Sequence, residues 1–149
     1  MFNETLKLSG QLAIVLKDKD GNVKEERTEK NLVVTTGLNY IASRMKDATA
    51  TAMTHMALGS GTTNALAAQT DLITLLGSRE ALDSIVTESN AVAYVSSFEA
   101  GDATGAVTEA GIFNASTSGT MLCRVVFSVV NKAADDTMTV TWTITLAAS

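Results

Sequence analysis

The sequence contains few of the residues that form disulfide cross-links, metal centres and rigid turns. Its 149 residues include no proline, one cysteine and one histidine. The single cysteine, Cys123, excludes an internal disulfide framework and any zinc or iron–sulfur site made of several cysteines. The single histidine, His55, excludes the common sites in which two or three histidines hold a metal. The fold must therefore be stabilised by an apolar core, which a chain of this length can bury.

Charged residues are also scarce, at 18% of the sequence against a typical share of about 25%. The net charge of −5 argues against an extended nucleic-acid surface. There is no run of about 18 apolar residues, and residues 1–10 alternate in polarity, so we expect neither a membrane span nor a secretory signal. Residues 1–46 hold 8 bases and 6 acids, whereas residues 47–149 hold 3 bases and 10 acids. The amino-terminal third is thus positive, and the rest of the chain is acidic.

The amino-terminal third has the pattern of a β-hairpin. Leucine or isoleucine occupies nearly every second position from Leu6 to Leu16, which is typical of a half-buried strand. Gly10 interrupts this pattern and indicates a bulge or a bend. Residues 18–22 form a strong turn signal, because glycine and asparagine tolerate positive φ. The return strand, residues 23–34, is charged in its first half, which must be solvated or meet a charged partner.

The centre of the chain predicts one helix among shorter elements. Apolar residues follow the Thr35-Thr36-Gly37 break at helical spacing, so we predict a short amphipathic helix over residues 37–46. Residues 47–52 predict a loop, and residues 53–58 predict a strand. For residues 64–77 the pattern allows two interpretations, a short helix or an irregular packed segment.

The remainder predicts an all-β domain, with strands over residues 81–87, 91–98, 107–113, 121–130 and 137–146. In the last of these, apolar residues from Met138 to Leu146 alternate with threonines, which gives one buried and one solvated face. About eight strands and one helix predict an all-β, jelly-roll-like β-sandwich. We expect a single domain over residues 1–149, with the N-terminal hairpin as an arm.

No group of residues has the pattern of a catalytic or cofactor site. The glycines of residues 59–61 lack the lysine that a phosphate-binding loop requires. His55 has no nucleophile context, and Cys123 lies in an apolar strand, where a thiol usually acts as a small hydrophobe. Asp18 and Asp20 begin like a calcium loop, but the later ligand positions do not match, so we interpret them as turn residues. We expect no enzymatic activity, no cofactor and no metal.

Glu109 places a charge within the otherwise apolar strand predicted over residues 107–113. Two interpretations are open at this point. Glu109 faces outward from the strand, or it forms an internal ion pair with Arg79 or Arg124.

Several segments, taken in order, resemble a group of small virion proteins of tailed bacteriophages. They are residues 30–42 (KNLVVTTGLNYIA), residues 56–63 (MALGSGTT), residues 108–113 (TEAGIF) and the closing pattern of residues 122–127 and 137–146. The resemblance covers most of residues 20–147. It implies an auxiliary capsid protein of the cement or decoration type, often a jelly roll, which binds the outside of the shell and clamps neighbouring major capsid subunits. Similar sequences also imply a tail, neck or baseplate component as the alternative.

The resemblance makes the major capsid protein the expected partner, with no role for nucleic acid or membrane. An oligomer is expected, first a dimer and second a trimer, because homo-oligomers favour closed symmetry. The candidate interface residues lie on the terminal arm and on the charged hairpin: Phe2, Leu6, Lys17, Lys19, Lys24, Arg27 and Lys30. A solvated hairpin face is the alternative interpretation of the charged residues. We expect reversal of Lys24 and Arg27 to weaken attachment and to leave the isolated fold intact.

Overall fold

The computed structural model describes residues 5–46 and 50–148, where the chain forms ten strands and one helix. Phe2 and residues 47–49 of the predicted loop lie outside the described residues. The elements in chain order are β1 (Leu6–Lys17), β2 (Val23–Lys30), β3 (Leu32–Val33), α1 (Thr35–Lys46), β4 (His55–Gly59), β5 (Glu80–Ala81), β6 (Ser84–Glu88), β7 (Ala91–Phe98), β8 (Gly105–Phe113), β9 (Met121–Lys132) and β10 (Thr137–Ala148).

The strands form two five-stranded antiparallel sheets that pack face to face. The first sheet has the order β2-β1-β10-β7-β6, and the second has the order β3-β9-β8-β4-β5. The core between them contains Trp142 and Leu12 from the first sheet and Ile112 and Leu58 from the second, all fully buried. The predicted all-β sandwich with one short helix is therefore confirmed.

The N-terminal hairpin is an integral part of the first sheet, where the sequence predicted an arm. β1 pairs with β10 along its whole length, from Leu6 opposite Ala148 to Lys17 opposite Thr137. Alternate β1 side chains are buried in the core, so β1 is a central strand and only β2 lies at the sheet edge. The predicted turn is confirmed: the Asp18 carboxylate accepts the Asn22 N–H at 2.9 Å.

The predicted return strand breaks at Asn31, where the chain crosses between the sheets. Lys30 still pairs with Gln11 of the first sheet, whereas Leu32 pairs with Arg124 of the second. The Asn31 side-chain oxygen accepts a hydrogen bond from the Trp142 indole N–H at 2.9 Å. This arrangement fixes the crossing point against the buried tryptophan.

Gly10 makes room for that crossing, and the bulge or bend predicted there is wrong. Gly10 stays in register opposite Ile144. A Cβ at this position would overlap the Asn31 carboxamide. The glycine interrupts the apolar pattern because a side chain from another strand occupies its place.

The outer faces of the two sheets differ. Residues 60–79, which we name the covering segment, pack on the second sheet and bury Leu72 there. They form no helix, so the irregular interpretation of residues 64–77 is confirmed. α1 packs against β9, with Gly37 directly on the Leu122 backbone. In the part of the chain that the structure describes, no element packs on the outer side of the first sheet, where the β10 threonines remain half-buried.

Candidate functional site

The outer face of the first sheet is a broad surface of small side chains. The strand register aligns Thr143 of β10 with Gln11 of β1 and Ala93 of β7, and repeats this pattern in the neighbouring rows. Charged residues occur only at its margins. We name this surface the outer face; its uncharged residues are Ser9, Gln11, Ala13, Val15, Thr28, Ser84, Val86, Ala91, Ala93, Val95, Ser97, Thr139, Thr141, Thr143 and Thr145, and its charged residues are Lys7, Lys17, Glu26, Lys30 and Glu88.

Lys30 and Lys7 stand together at one margin of the outer face. They line a shallow depression of about 400 Å³ with Ser9, Gln11 and Thr143 as neighbours. Lys30 was among the predicted interface residues, and Lys7 was not. The sequence did hold a signal for Lys7, because the period of two places it on the same side of β1 as Gln11.

Lys17 and Lys19 are exposed at the opposite, turn end of the hairpin. Within the described ranges neither of them forms an ion pair. The hairpin length separates them from Lys30 by roughly 20 Å, since a strand rises about 3.3 Å per residue. The predicted cations are thus spread along the hairpin and do not form one cluster.

Lys24 is engaged with Asp136 of the turn between β9 and β10. The Lys24 Nζ lies 2.7 Å from Asp136 Oδ2, which also accepts the Ala133 N–H at 2.8 Å. The lysine hydrogen bond, followed by that of Ala133, lowers the pKa of Asp136 below its ordinary value. The Lys24 side chain is 40% exposed, so it pins the turn and still contributes positive charge to the surface.

Arg27 is engaged in contacts within the protein and is not a free cation on the surface. Its register opposite Ile14 places it on the core side of β2. Its guanidinium donates to the backbone carbonyls of Ser128 at 3.0 Å and Val129 at 3.1 Å. It also pairs with Glu25 at 2.9 Å. These contacts join the edge of the first sheet to β9 of the second, so we now expect reversal of Arg27 to destabilise the fold.

Leu6, the other described residue predicted for the interface, is 65% exposed. It lies beside an apolar groove of about 200 Å³ between the start of β1 and α1. Leu38 and Met45 of α1 line the same groove and are exposed as well. The terminal segment and the helix therefore share an apolar surface that the hairpin cations do not reach.

Glu109 forms a buried ion pair with Arg124, one of the two partners that the sequence had left undecided. Both side chains are completely buried, and Arg124 Nη2 lies 2.7 Å from Glu109 Oε2. Arg124 Nε donates to the same oxygen at 3.0 Å. The ion pair with Arg124 is therefore confirmed, and Glu109 faces outward from β8 without reaching solvent, because the covering segment closes over it.

The same carboxylate fastens the covering segment to the second sheet. Glu109 Oε1 accepts the N–H groups of Gly61 at 3.0 Å and Thr74 at 2.7 Å. Glu109 Oε2 also accepts the Ile73 N–H at 3.0 Å. A Cβ on Gly61 would lie 2.5 Å from Glu109 Oε1, so a glycine is needed at that position. The glycines of residues 59–61 therefore surround a protein carboxylate and do not form a phosphate site.

Arg79, the other candidate partner of Glu109, holds the far end of the covering segment. Its guanidinium carbon lies 3.5 Å from the centre of the Phe113 ring. Its Nη1 donates to the carbonyls of Ala115 at 2.9 Å and Ser118 at 2.8 Å. The two arginines that the sequence offered to Glu109 thus have separate structural roles.

The residues with catalytic potential lie apart from one another. His55 Nδ1 is 2.8 Å from the Thr54 hydroxyl, and Cys123 is fully buried in the core. Burial raises the pKa of the Cys123 thiol well above its ordinary value. Among the described residues, no group of three histidine, cysteine or acidic side chains could hold a metal ion.

Comparison with protein-family models, with curated protein sequences and with solved structures found no match for the chain. In the described ranges, no helix is long and apolar enough to cross a membrane. The class that the fold defines is an all-β sandwich in which residues 60–79 cover the second sheet, while no described element covers the first.

Proposed function

We propose that the protein is a structural virion protein of a tailed bacteriophage. It binds the outside of the capsid shell and cements neighbouring major capsid subunits. The proposal combines the ordered resemblance of its motifs with the surface properties of the sandwich. It assigns the protein to binding and mechanical reinforcement and not to chemistry.

Four of the five segments that carry the resemblance lie together in or on the second sheet. Residues 30–42, 56–63, 108–113 and 122–127 contribute to β3, α1, β4, β8 and β9, which are neighbours in or on the second sheet. The Glu109–Arg124 pair connects three of these segments through Gly61. The closing motif, residues 137–146, is the exception: it lies in β10 of the first sheet, and its threonines belong to the outer face.

The observation that carries the proposal is the uncovered outer face. It combines a row of threonines, such as Thr141 and Thr143, with charged margins on which Lys7, Lys17 and Lys30 outnumber Glu26 and Glu88. Small side chains let another protein surface approach closely, and the lysines favour an acidic partner. The exposed Lys17, Lys19 and Lys30 are the residues we assign to contact with the major capsid protein, with Lys7 added.

The experiment compares shells of the encoding phage prepared with and without this protein. Purified protein is added back, and binding to assembled shells and to free major capsid subunits is measured by sedimentation. We expect binding to assembled shells only, and a higher rupture temperature for coated shells. Equal rupture temperatures for bare and coated shells would contradict the cement function. Binding to isolated tails, necks or baseplates in place of shells would support the alternative location.

A further inference from the structure

The two edges of the first sheet differ in how they are protected. The β2 edge carries six charged residues in its eight positions, Lys24 to Lys30. Such charges discourage another strand from pairing with an edge. The β6 edge, Ser84–Glu88, carries one charge in five positions and includes the apolar Ile85 and Val86. It therefore lacks the protection that β2 has.

β6 is also more open to solvent than the other strands of its sheet. All five of its residues are exposed, with Ile85 at 47% and Val86 at 55%. It pairs with β7 on one side, and no described strand pairs with its other side. Alternate backbone N–H and C=O groups of an edge strand point away from its neighbour and can accept a further strand.

We propose that β6 pairs antiparallel with β6 of a second copy of this chain, around a two-fold axis at Val86. Val86 is the middle residue of Ser84–Glu88, so all five positions find a partner in this register. The two sheets then join into one continuous ten-stranded sheet. The proposal is independent of the proposed virion function, because it rests on the strand alone.

The sequence of β6 is complementary to itself in this register. Val86 lies beside Val86 of the partner subunit, and Ile85 lies beside Thr87 of the partner subunit; β-branched pairs of this kind stabilise antiparallel strands. Glu88 lies opposite Ser84 of the partner subunit, so the two Glu88 carboxylates stay at opposite ends of the interface. Because no like charges oppose each other, a second copy is a better occupant than a strand with acidic residues.

The pairing joins the outer faces of two copies. Val86 is opposite Ala93 of β7, which belongs to the outer face. One pair of five-residue strands forms an interface smaller than the roughly 1,200–2,000 Å² of stable complexes. We therefore expect reversible association that increases with protein concentration.

The first test measures the association state by sedimentation velocity over a range of concentrations. We expect a monomer–dimer equilibrium for the wild type. Val86→Lys and Val86→Glu each place like charges at the two-fold axis and should abolish dimers, whereas an equimolar mixture of the two should restore them as heterodimers. Thr28→Lys, at the exposed and opposite edge of the same sheet, is the matched control and should leave the equilibrium unchanged.

A second measurement captures the dimer covalently, so that weak association is also detected. Val86→Cys should form a disulfide-linked dimer under mild oxidation, and Thr28→Cys should not, while the native Cys123 is fully buried and stays unreactive. A wild type that is monomeric at every concentration, or trimeric, would overturn the proposal. So would a Val86→Lys variant that still dimerises, or equal cross-linking of the two cysteine variants.

Discussion

Arg124 and Glu109 contact each other in complete isolation from solvent, with two guanidinium nitrogens at 2.7 and 3.0 Å from one carboxylate oxygen. A buried pair of this kind contributes little net stability over an apolar pair, but removing one partner leaves an uncompensated buried charge. Here the carboxylate also accepts three backbone N–H groups of the covering segment. The pair thus determines where residues 60–79 lie on the second sheet.

Arg124→Met should lower the free energy of unfolding by about 3–5 kcal/mol, because Glu109 then remains buried without its cation. Urea denaturation followed by the fluorescence of the single, buried Trp142 measures this difference. Lys17→Met, at an exposed position, is the control and should change stability by less than about 0.5 kcal/mol. A loss below about 1 kcal/mol for Arg124→Met would show that the pair has no organising role.

Replacing both partners should not restore stability. In many proteins an apolar pair of similar volume is as stable as the buried ion pair that it replaces. In Glu109→Leu/Arg124→Met, however, the N–H groups of Gly61, Ile73 and Thr74 lose their acceptor, and each unsatisfied buried group costs about 1–3 kcal/mol. The same denaturation measurement should find the double variant well below the wild type. Wild-type stability in the double variant would contradict the fastening role of Glu109.

Gly61→Ala should destabilise the protein by about 1–3 kcal/mol through overpacking. The new methyl group would meet Glu109 Oε1 at 2.5 Å and Ile73 Cβ at 2.6 Å. We expect faster amide hydrogen exchange at Ile73 and Thr74, since their bonds to the carboxylate weaken. Thr62→Ala, at the exposed neighbouring position, is the control. Identical exchange in the two variants would argue against close packing at Gly61.

The contact between Lys24 and Asp136 predicts a dependence on pH. Hydrogen bonds from Lys24 and Ala133 lower the pKa of Asp136 below its ordinary value of 3.8. A carboxyl group whose pKa is lower in the folded state contributes stability above its unfolded pKa and loses it as the pH falls through the folded value. Lys24→Met should therefore be less stable than the wild type by roughly 0.2–1 kcal/mol at neutral pH.

That difference should begin to shrink below about pH 4 and disappear once the pH has fallen through the lowered pKa of folded Asp136, where the carboxyl group is protonated in both proteins. Denaturation midpoints of the two proteins at a series of pH values measure the difference. Lys19→Met, at an exposed turn position without an ion pair in the described ranges, should show no such convergence. A stability gap between Lys24→Met and the wild type that stays constant or widens in acid would contradict the assignment.

Charge reversal should affect shell binding at the surface lysines but fold stability at Arg27. Lys30→Glu, with Lys7 nearby in the same depression, should weaken binding to shells and leave the unfolding midpoint unchanged. Lys46→Glu, at the end of α1, makes the same change of charge away from the outer face and is the control for shell binding. Arg27→Glu should lower the unfolding midpoint by itself, because it removes the bonds to Ser128 and Val129. Equal shell binding by Lys30→Glu and Lys46→Glu would remove the outer face from the interface.

Alternating patterns allowed several strands to be predicted with nearly the observed bounds. The threonine alternation of residues 137–146 lies within β10, and residues 91–98 coincide with β7. Such patterns identify which side of a strand is buried, but not the strand it pairs with. The crossing at Asn31 was therefore missed, because its cause is the distant Gly10 and Trp142.

The candidate site was predictable only in part, for a related reason. Exposed positions such as Lys17 and Lys19 follow from a turn signal, which is local. Arg27 is charged and lies among charged residues, and its sequence neighbours do not reveal the Ser128 carbonyl about a hundred residues away. The sequence could not decide whether Arg79 or Arg124 pairs with Glu109, because the choice depends on tertiary contacts.

The most direct test of the proposed function is a search for a tailed phage that encodes this chain, followed by a cryo-EM reconstruction of its intact particles. The proposal predicts hundreds of copies on the outside of the shell, bridging neighbouring major capsid subunits, with the outer face and Lys30 directed at the shell. Tens of copies or fewer, confined to the tail, neck or baseplate, would contradict it.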